Sequence, residues 1–272
     1  MIINNDISIT TQPADITECI GGTTQLSVVA TGGVGALTYQ WESASIIGGP
    51  YTTIVGATSS SYTPPSTAAG TTYYRVVVSN AGNGCGSVTS NPSTVIINND
   101  ISITTQPADI TECIGGTTQL SVVATGGVGT LTYQWESASI IGGPYTAIVG
   151  ATSSSYTPPS TAAGTTYYRV VISNAGNGCG SVTSNPATVI INNDISITTQ
   201  PSDITECIGG TTQLSVVATG GVGTLTYQWE SSSTIGGPYT TIVGATSSSY
   251  TPPSTAAGTT YYRVVVRNEG NG

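Results

Sequence analysis

The chain contains no histidine, no lysine and no phenylalanine, and its 272 residues carry only four basic side chains: Arg75, Arg169, Arg263 and Arg267. Each absence closes a route. Without His there is no Ser-His-Asp or Cys-His catalytic pair. Without His, and without clustered Cys, an ordinary zinc site is ruled out. Without Lys there is no Schiff base, no phosphate-binding P-loop and no intramolecular Lys–Asn isopeptide link. Charged residues are 6% of the chain, against about 25% in an average soluble domain. The net charge of −9 comes from thirteen scattered carboxylates, so nothing supplies the basic footprint that nucleic acid requires. A carboxylate pair for sugar hydrolysis is the catalytic device that composition leaves open, but the acids fall where loops and strand faces are expected. Apolar runs approaching the ~20 residues of a membrane span are missing, as is a basic-then-apolar signal segment at the start.

What is present is repetition. The stretch Leu131-Thr132-Tyr133-Gln134-Trp135-Glu136 occurs also at residues 37–42 and 225–230, a period of 94 residues. Residues 6–99 and 100–193 form two repeats that differ at four positions: 36/130, 53/147, 78/172 and 93/187. Residues 194–272 form a third, which departs from the second at seven of its 79 positions. Residues 1–5 match the end of a repeat, with Met1 standing where Val95 and Val189 stand. The period calls for a cysteine at position 273. The sequence therefore reads as a portion of a longer array. Near-identical units do one job many times.

Helical periodicity is absent, and the pattern is all-β. In Leu131, Tyr133 and Trp135 against Thr132, Gln134 and Glu136, alternate side chains take opposite faces of a strand, with the tryptophan aimed inward. In the second repeat, residues 101–105 begin an edge strand that Pro107 interrupts, since proline cannot donate to the ladder. Residues 109–114 resume it. Further strands are expected at 118–125, 130–137, 145–149, 153–157, 165–173 and 182–191, separated by Gly, Pro and Asn turns, about seven strands per 94-residue repeat.

Those strands resemble the immunoglobulin-like β-sandwich. The family pattern places Leu-x-Cys-x-Ala in the second strand, a Trp some 11–14 residues on, and Tyr-x-Cys in the sixth strand. Here Leu120-x-Val122-x-Ala124, Trp135 and Tyr168-x-Val170 occupy those places, with valine at both cysteine positions. The resemblance implies a core of Val28, Trp41 and Val76 in the first repeat, Val122, Trp135 and Val170 in the second, and Trp229 in the third. More narrowly, the chain resembles the tandem immunoglobulin-like repeats of large secreted adhesins and surface filament proteins of Bacteroidetes-type bacteria. The shared features are Cys-x-Gly-Gly-Thr at 113–117, the Tyr-x-Trp strand, Gly-Thr-Thr-Tyr-Tyr at 164–168 and Asn-Gly-Cys at 177–179.

Five cysteines recur two per period: Cys19, Cys85, Cys113, Cys179 and Cys207. That arithmetic points to disulfides and an oxidising compartment. Pairing within repeats would join Cys19 to Cys85 and Cys113 to Cys179. In a standard sandwich, however, Cys113 falls at one pole and Cys179 at the other. A strand of about eight residues separates them by over ~25 Å, and a disulfide needs Cα atoms within about 7 Å. In a head-to-tail stack Cys19–Cys179 becomes feasible between repeats. Cys113 then reaches position 273, Cys85 pairs backwards and Cys207 forwards. Both schemes stand at this point.

The surface is poor in charge and rich in hydroxyls, with 27 Ser and Thr among the 94 residues of the second repeat. Such a surface suggests a cover, either glycan or neighbouring chains in a fibre. No Asn-x-Ser/Thr sequon occurs. O-linked sugar is expected beside the Pro-Pro pairs, at Thr63, Ser66, Thr67, Thr157, Ser160, Thr161 and Thr251. Asp100 and Asp194, at the Asn-Asn-Asp junctions, are weak Ca2+ candidates; no other cofactor is expected. Tyr51, Tyr145 and Tyr239 follow Gly-Gly-Pro, where they either stack on sugar or fill a sandwich edge. The expected function is a non-catalytic extracellular stalk or fibre at a cell surface, whose partners are neighbouring repeats, like chains and glycans. The alternative is an adhesin or carbohydrate-binding repeat.

Overall fold

A computed structural model describes residues 4–80, 86–174, 176 and 178–268. Every regular element among the described residues is a strand. Repeat 1 comprises β1 (Ser8–Thr11), β2 (Ile16–Cys19), β3 (Leu26–Ser27), β4 (Val29–Thr31), β5 (Leu37–Ala44), β6 (Thr52–Thr53), β7 (Ser61–Tyr62), β8 (Gly70–Asn80), β9 (Val88–Thr89) and β10 (Ser93–Asn98). They form two layers. In one, β1 pairs with β4 and β3 with β7. In the other, the order is β2-β10-β8-β5-β6, with β9 also on β8.

Two expected strands are each split. Residues 118–125 become Leu120–Ser121 and Val123–Thr125, because Val122 donates its N–H to Ser154 instead. Residues 182–191 become Val182–Thr183 and Ala187–Asn192. Between them Pro186 has no N–H to give, and Ser184 turns inward to accept the Val170 N–H at 3.0 Å.

The first strand changes layer at Pro13. Proline leaves the ladder of β4 without a donor, and the chain crosses to the edge of the larger sheet. Gln12 and Asp15 cover the gap: their side-chain oxygens accept the N–H groups of Asn91 and Thr94 at 2.9 and 2.7 Å. Beyond the crossing, β2 runs parallel to β10, with Ile16 opposite Val95 and Cys19 opposite Asn98. Repeat 2 copies this, with Ile110–Cys113 parallel to the end of Ala187–Asn192.

The core lies between the layers. Val28, Trp41 and Val76, their counterparts Val122, Trp135 and Val170, and Trp229 are all buried. Trp41 and Val76 are cross-strand neighbours, so packing holds the site where this fold commonly has a disulfide. Each indole N–H donates to a backbone carbonyl, Trp135 to Ser153 at 2.9 Å, which satisfies the one polar atom of the buried ring. An aromatic column continues from there. Trp135 stacks on Tyr156 at 6.0 Å between centroids, and Tyr156 tilts against Tyr168 at 5.6 Å. Deleting a buried tryptophan costs about 3–5 kcal/mol, so this column is a major stabilising unit of a repeat.

Among the described residues the larger layer of repeat 3 is a three-stranded sheet of Thr240–Thr241, Leu225–Ser232 and Tyr261–Asn268. Glu206 and Cys207 are exposed there, whereas Glu18, Cys19, Glu112 and Cys113, each beside its parallel partner strand, are buried.

Candidate functional site: the joint between repeats

The joint between repeats 1 and 2 is assembled from three segments. The first is the turn that ends β2. Gly22 donates to the Cys19 carbonyl at 3.0 Å and Gly21 to Ser66 at 2.9 Å, and the Ser66 hydroxyl donates to Gly22 at 2.7 Å. Glu18 is buried beneath this turn, with Oε2 accepting the Thr24 N–H at 3.1 Å. A Cβ at Gly22 would overlap that carboxylate, which is why the turn needs glycine.

The second segment is the peptide link at residues 98–100. The Asn99 carbonyl accepts the Gly127 N–H at 2.8 Å. Gly126, at φ +88, packs so closely on the Asp100 carbonyl that a Cβ there would collide with it. The third is the loop after Gly164–Ser173. Asn174 Oδ1 accepts the Gly176 N–H at 3.1 Å, and Cys179 donates to Gly176 at 3.2 Å. Gly178, at φ +76, lies against repeat 1: a Cβ there would stand 2.5 Å from Gly22 N.

These segments bring Cys19 and Cys179 together in a disulfide, with Cα atoms 4.9 Å apart and a sequence separation of 160. The bond crosses from one repeat to the next. Cys19 Sγ lies 3.8 Å from the Asn99 carbonyl oxygen, so the disulfide and the peptide link sit side by side. The within-repeat scheme is corrected accordingly. Cys179 is not bonded to Cys113, nor Cys19 to Cys85, because both sulfurs are already used. Cys113 stands opposite Asn192 in the sheet, at the far end of the strand that follows Cys179. Cys113 is a buried thiol and Cys207 an exposed one; Cys85 lies outside the described residues.

The structure also places two other sets of expected residues. Among the described residues no three acidic, Cys or His side chains gather to hold a metal. Asp100 and Asp194 stand exposed in their links. Of the hydroxyls beside Pro-Pro, Ser66 and Ser160 are half-buried and donate to Gly22 and Gly116 at 2.7 and 2.6 Å. Sugar there would break the turn that carries the cysteine. Thr63, Thr67, Thr157, Thr161 and Thr251 are exposed.

Sequence reasoning missed one cluster. Arg169 Nε holds Glu136 at 2.7 Å, and its guanidinium lies 4.2 Å from the ring centroid of Tyr145. Repeats 1 and 3 have the same cluster at Arg75, Glu42 and Tyr51 and at Arg263, Glu230 and Tyr239. The tyrosines after Gly-Gly-Pro therefore offer no free face on that side. The available signal was register: Glu136 and Arg169 are opposite each other on neighbouring strands. Burial also raises the phenol pKa values of Tyr62, Tyr74, Tyr156, Tyr168 and Tyr262. Two open grooves lie on repeat 2, one lined by Gln119, Val149, Ser153, Tyr156 and Thr157, and another by Thr161, Thr165, Thr166 and Tyr168 among others. Neither is lined by an acid or a cysteine.

The layers, the buried tryptophan and the three-fold succession define a tandem array of immunoglobulin-like β-sandwiches. The model of the family described as Domain of unknown function (DUF8696) matches residues 8–99, 103–193 and 197–272, and the chain belongs to that family three times over. A three-immunoglobulin-domain fragment of titin is similar over 97% of this chain and 94% of its own, at 10% identity and a TM-score of 0.50. The Sidekick-1 immunoglobulin domains 1–5 match over 84% of this chain at 18% identity and a TM-score of 0.47, and the chain spans 48% of that fragment. Extracellular domains 3–5 of Drosophila OTK match at 15% identity and a TM-score of 0.40, over 97% of this chain and 93% of theirs. At these identities the likeness is one of fold. No curated protein matches the sequence.

Proposed function

We propose that the chain is a section of a non-catalytic extracellular stalk or fibre, built to span distance at a bacterial surface of the Bacteroidetes type. The observation that carries this reading is the joint. Cys19–Cys179 ties one repeat to the next beside the peptide link, which restricts bending and twisting where a linker would otherwise be free. A disulfide of this kind belongs to an oxidising compartment, which supports the extracellular placement. Near-identity of the repeats extends to their loops, so no loop set is singled out as a binding surface. Exposed threonines beside the Pro-Pro pairs are the places where a glycan coat would attach.

Electron microscopy of the oxidised chain, with and without reductant, tests the reading. Straight beaded rods with a step of about 40 Å, the length of a strand plus its turns, that become bent after reduction are the expected result. Particles folded back on themselves in the oxidised state would overturn it.

A further inference from the structure

The disulfide also decides where tension travels. It joins the end of β2 in repeat 1 to the loop that leads into the last strand of repeat 2. The peptide link runs the other way round, from β10, the last strand of repeat 1, into Ser102–Thr105, the first strand of repeat 2. Each kind of crossing thus connects a first strand with a last strand. Inside each of the first two repeats those two strands lie side by side and parallel, β2 on β10 and Ile110–Cys113 on residues 189–192. At the joint the two crossings are 3.8 Å apart.

Resting on the stalk reading, we propose that axial tension runs along this edge pair of strands and bypasses the sandwich cores. A pull entering repeat 1 passes through β1 and β2 to Cys19. It then crosses to Cys179, runs down Val182–Thr183 and Ala187–Asn192, and leaves for repeat 3. These segments are already extended, so they have little length to yield. Everything between Cys19 and Cys179, a sequence separation of 160, hangs beside the path as a closed loop. That loop includes Trp41, Trp135 and both aromatic columns. Unfolding a core inside it releases no length, because the distance between the loop's ends is set by one covalent bond.

The test is to stretch single molecules of the full chain between terminal handles in optical tweezers, after peptide mapping of the same preparation. Without the staple, each repeat that unfolds releases about 30 nm, from ~3.5 Å per residue over 94 residues less the folded length. The expected result for oxidised protein is that repeat 3 alone extends, with the two ~30 nm releases of repeats 1 and 2 appearing only after a phosphine reductant is added. Cys19→Ser should show both releases without reductant, which separates the bond from other effects of reduction. Two ~30 nm releases from molecules mapped as Cys19–Cys179 would overturn the proposal, as would a map that links Cys113 to Cys179. Folded-back particles in the microscope would remove the stalk reading and leave the force path standing.

Discussion

The guanidinium of Arg169 lies over the ring of Tyr145, 4.2 Å from its centroid, while its Nε holds Glu136 at 2.7 Å. The arginine that recurs in each repeat is thereby used within the fold. The outer face of the larger sheet is closed where a sugar-stacking tyrosine was one expectation. Because Arg169 is about one-third exposed at 35%, its ion pair is screened by water and salt. Replacing all three arginines, Arg75, Arg169 and Arg263, by Met should cost no more than about 1–2 kcal/mol per repeat, from the pair and the ring contact together. Urea denaturation at low and high salt measures it, and the loss should shrink as salt rises.

Trp135→Ala should destabilise repeat 2 by about 3–5 kcal/mol, the range for removing a buried tryptophan. Trp135→Phe keeps much of the packing but loses the hydrogen bond to the Ser153 carbonyl at 2.9 Å, so it should cost less, with about 0.5–1.5 kcal/mol from the lost bond. Trp41 and Trp229 remain as fluorescent reporters, and denaturation curves followed at each distinguish a local loss from a shared one.

Gly178→Ala should lower the yield of the Cys19–Cys179 bond. The residue sits at φ +76 and a Cβ would press on Gly22 N at 2.5 Å, adding the roughly 1–2 kcal/mol cost of a left-handed non-glycine residue to a collision at the joint. Non-reducing peptide mapping reads the result. Gly180→Ala, where a Cβ meets open space, is the matched control and should leave the bond intact.

Alkali should weaken the fold. Burial favours the neutral phenols of Tyr62, Tyr74, Tyr156, Tyr168 and Tyr262, so their folded pKa values lie above the ordinary value of 10.0. The unfolded chain then loses its phenolic protons first. Stability from this source is fully present below about pH 10 and is lost as pH rises through the folded values. Urea midpoints at pH 7, 8.5 and 11, with Cys207 alkylated, should be level between the first two, where the unfolded phenols are still protonated, and fall at the third. Replacing Tyr62, Tyr156 and Tyr262 by Phe should reduce the fall.

If the native chain carries O-linked sugar, glycopeptide mass spectrometry should find it at Thr67 or Thr161 and not at Ser66 or Ser160. The two serine hydroxyls hold the turns at Gly22 and Gly116, and Ser160→Ala should cost about 1 kcal/mol.

The sandwich was legible because its signals are local. Alternation in Leu131-Thr132-Tyr133-Gln134-Trp135-Glu136 marks a strand with one face inward, and the Gly and Pro clusters punctuate the rest. The aromatic column was legible only in part. Tyr168 follows the strand pattern, but Tyr156 sits in a two-residue strand, Ser155–Tyr156, too short to display a period. The Arg169, Glu136 and Tyr145 cluster was missed because it depends on the register of two strands 33 residues apart and on a turn folding back over them.

The amino-acid sequence by itself determined that this is a repeated, all-β, charge-poor chain without the residues for common catalytic or zinc chemistry. Composition and short-range periodicity carry that information, and no long-range contact is needed to read it. Only the tertiary structure decided which cysteines meet. Cys19 and Cys179 are separated by 160 residues, and either pairing scheme satisfies the spacing. The choice rests on the direction of β2 alongside β10 and on which pole of one repeat faces the next. Those are properties of strands and repeats placed against each other, and they exist only once the chain has folded.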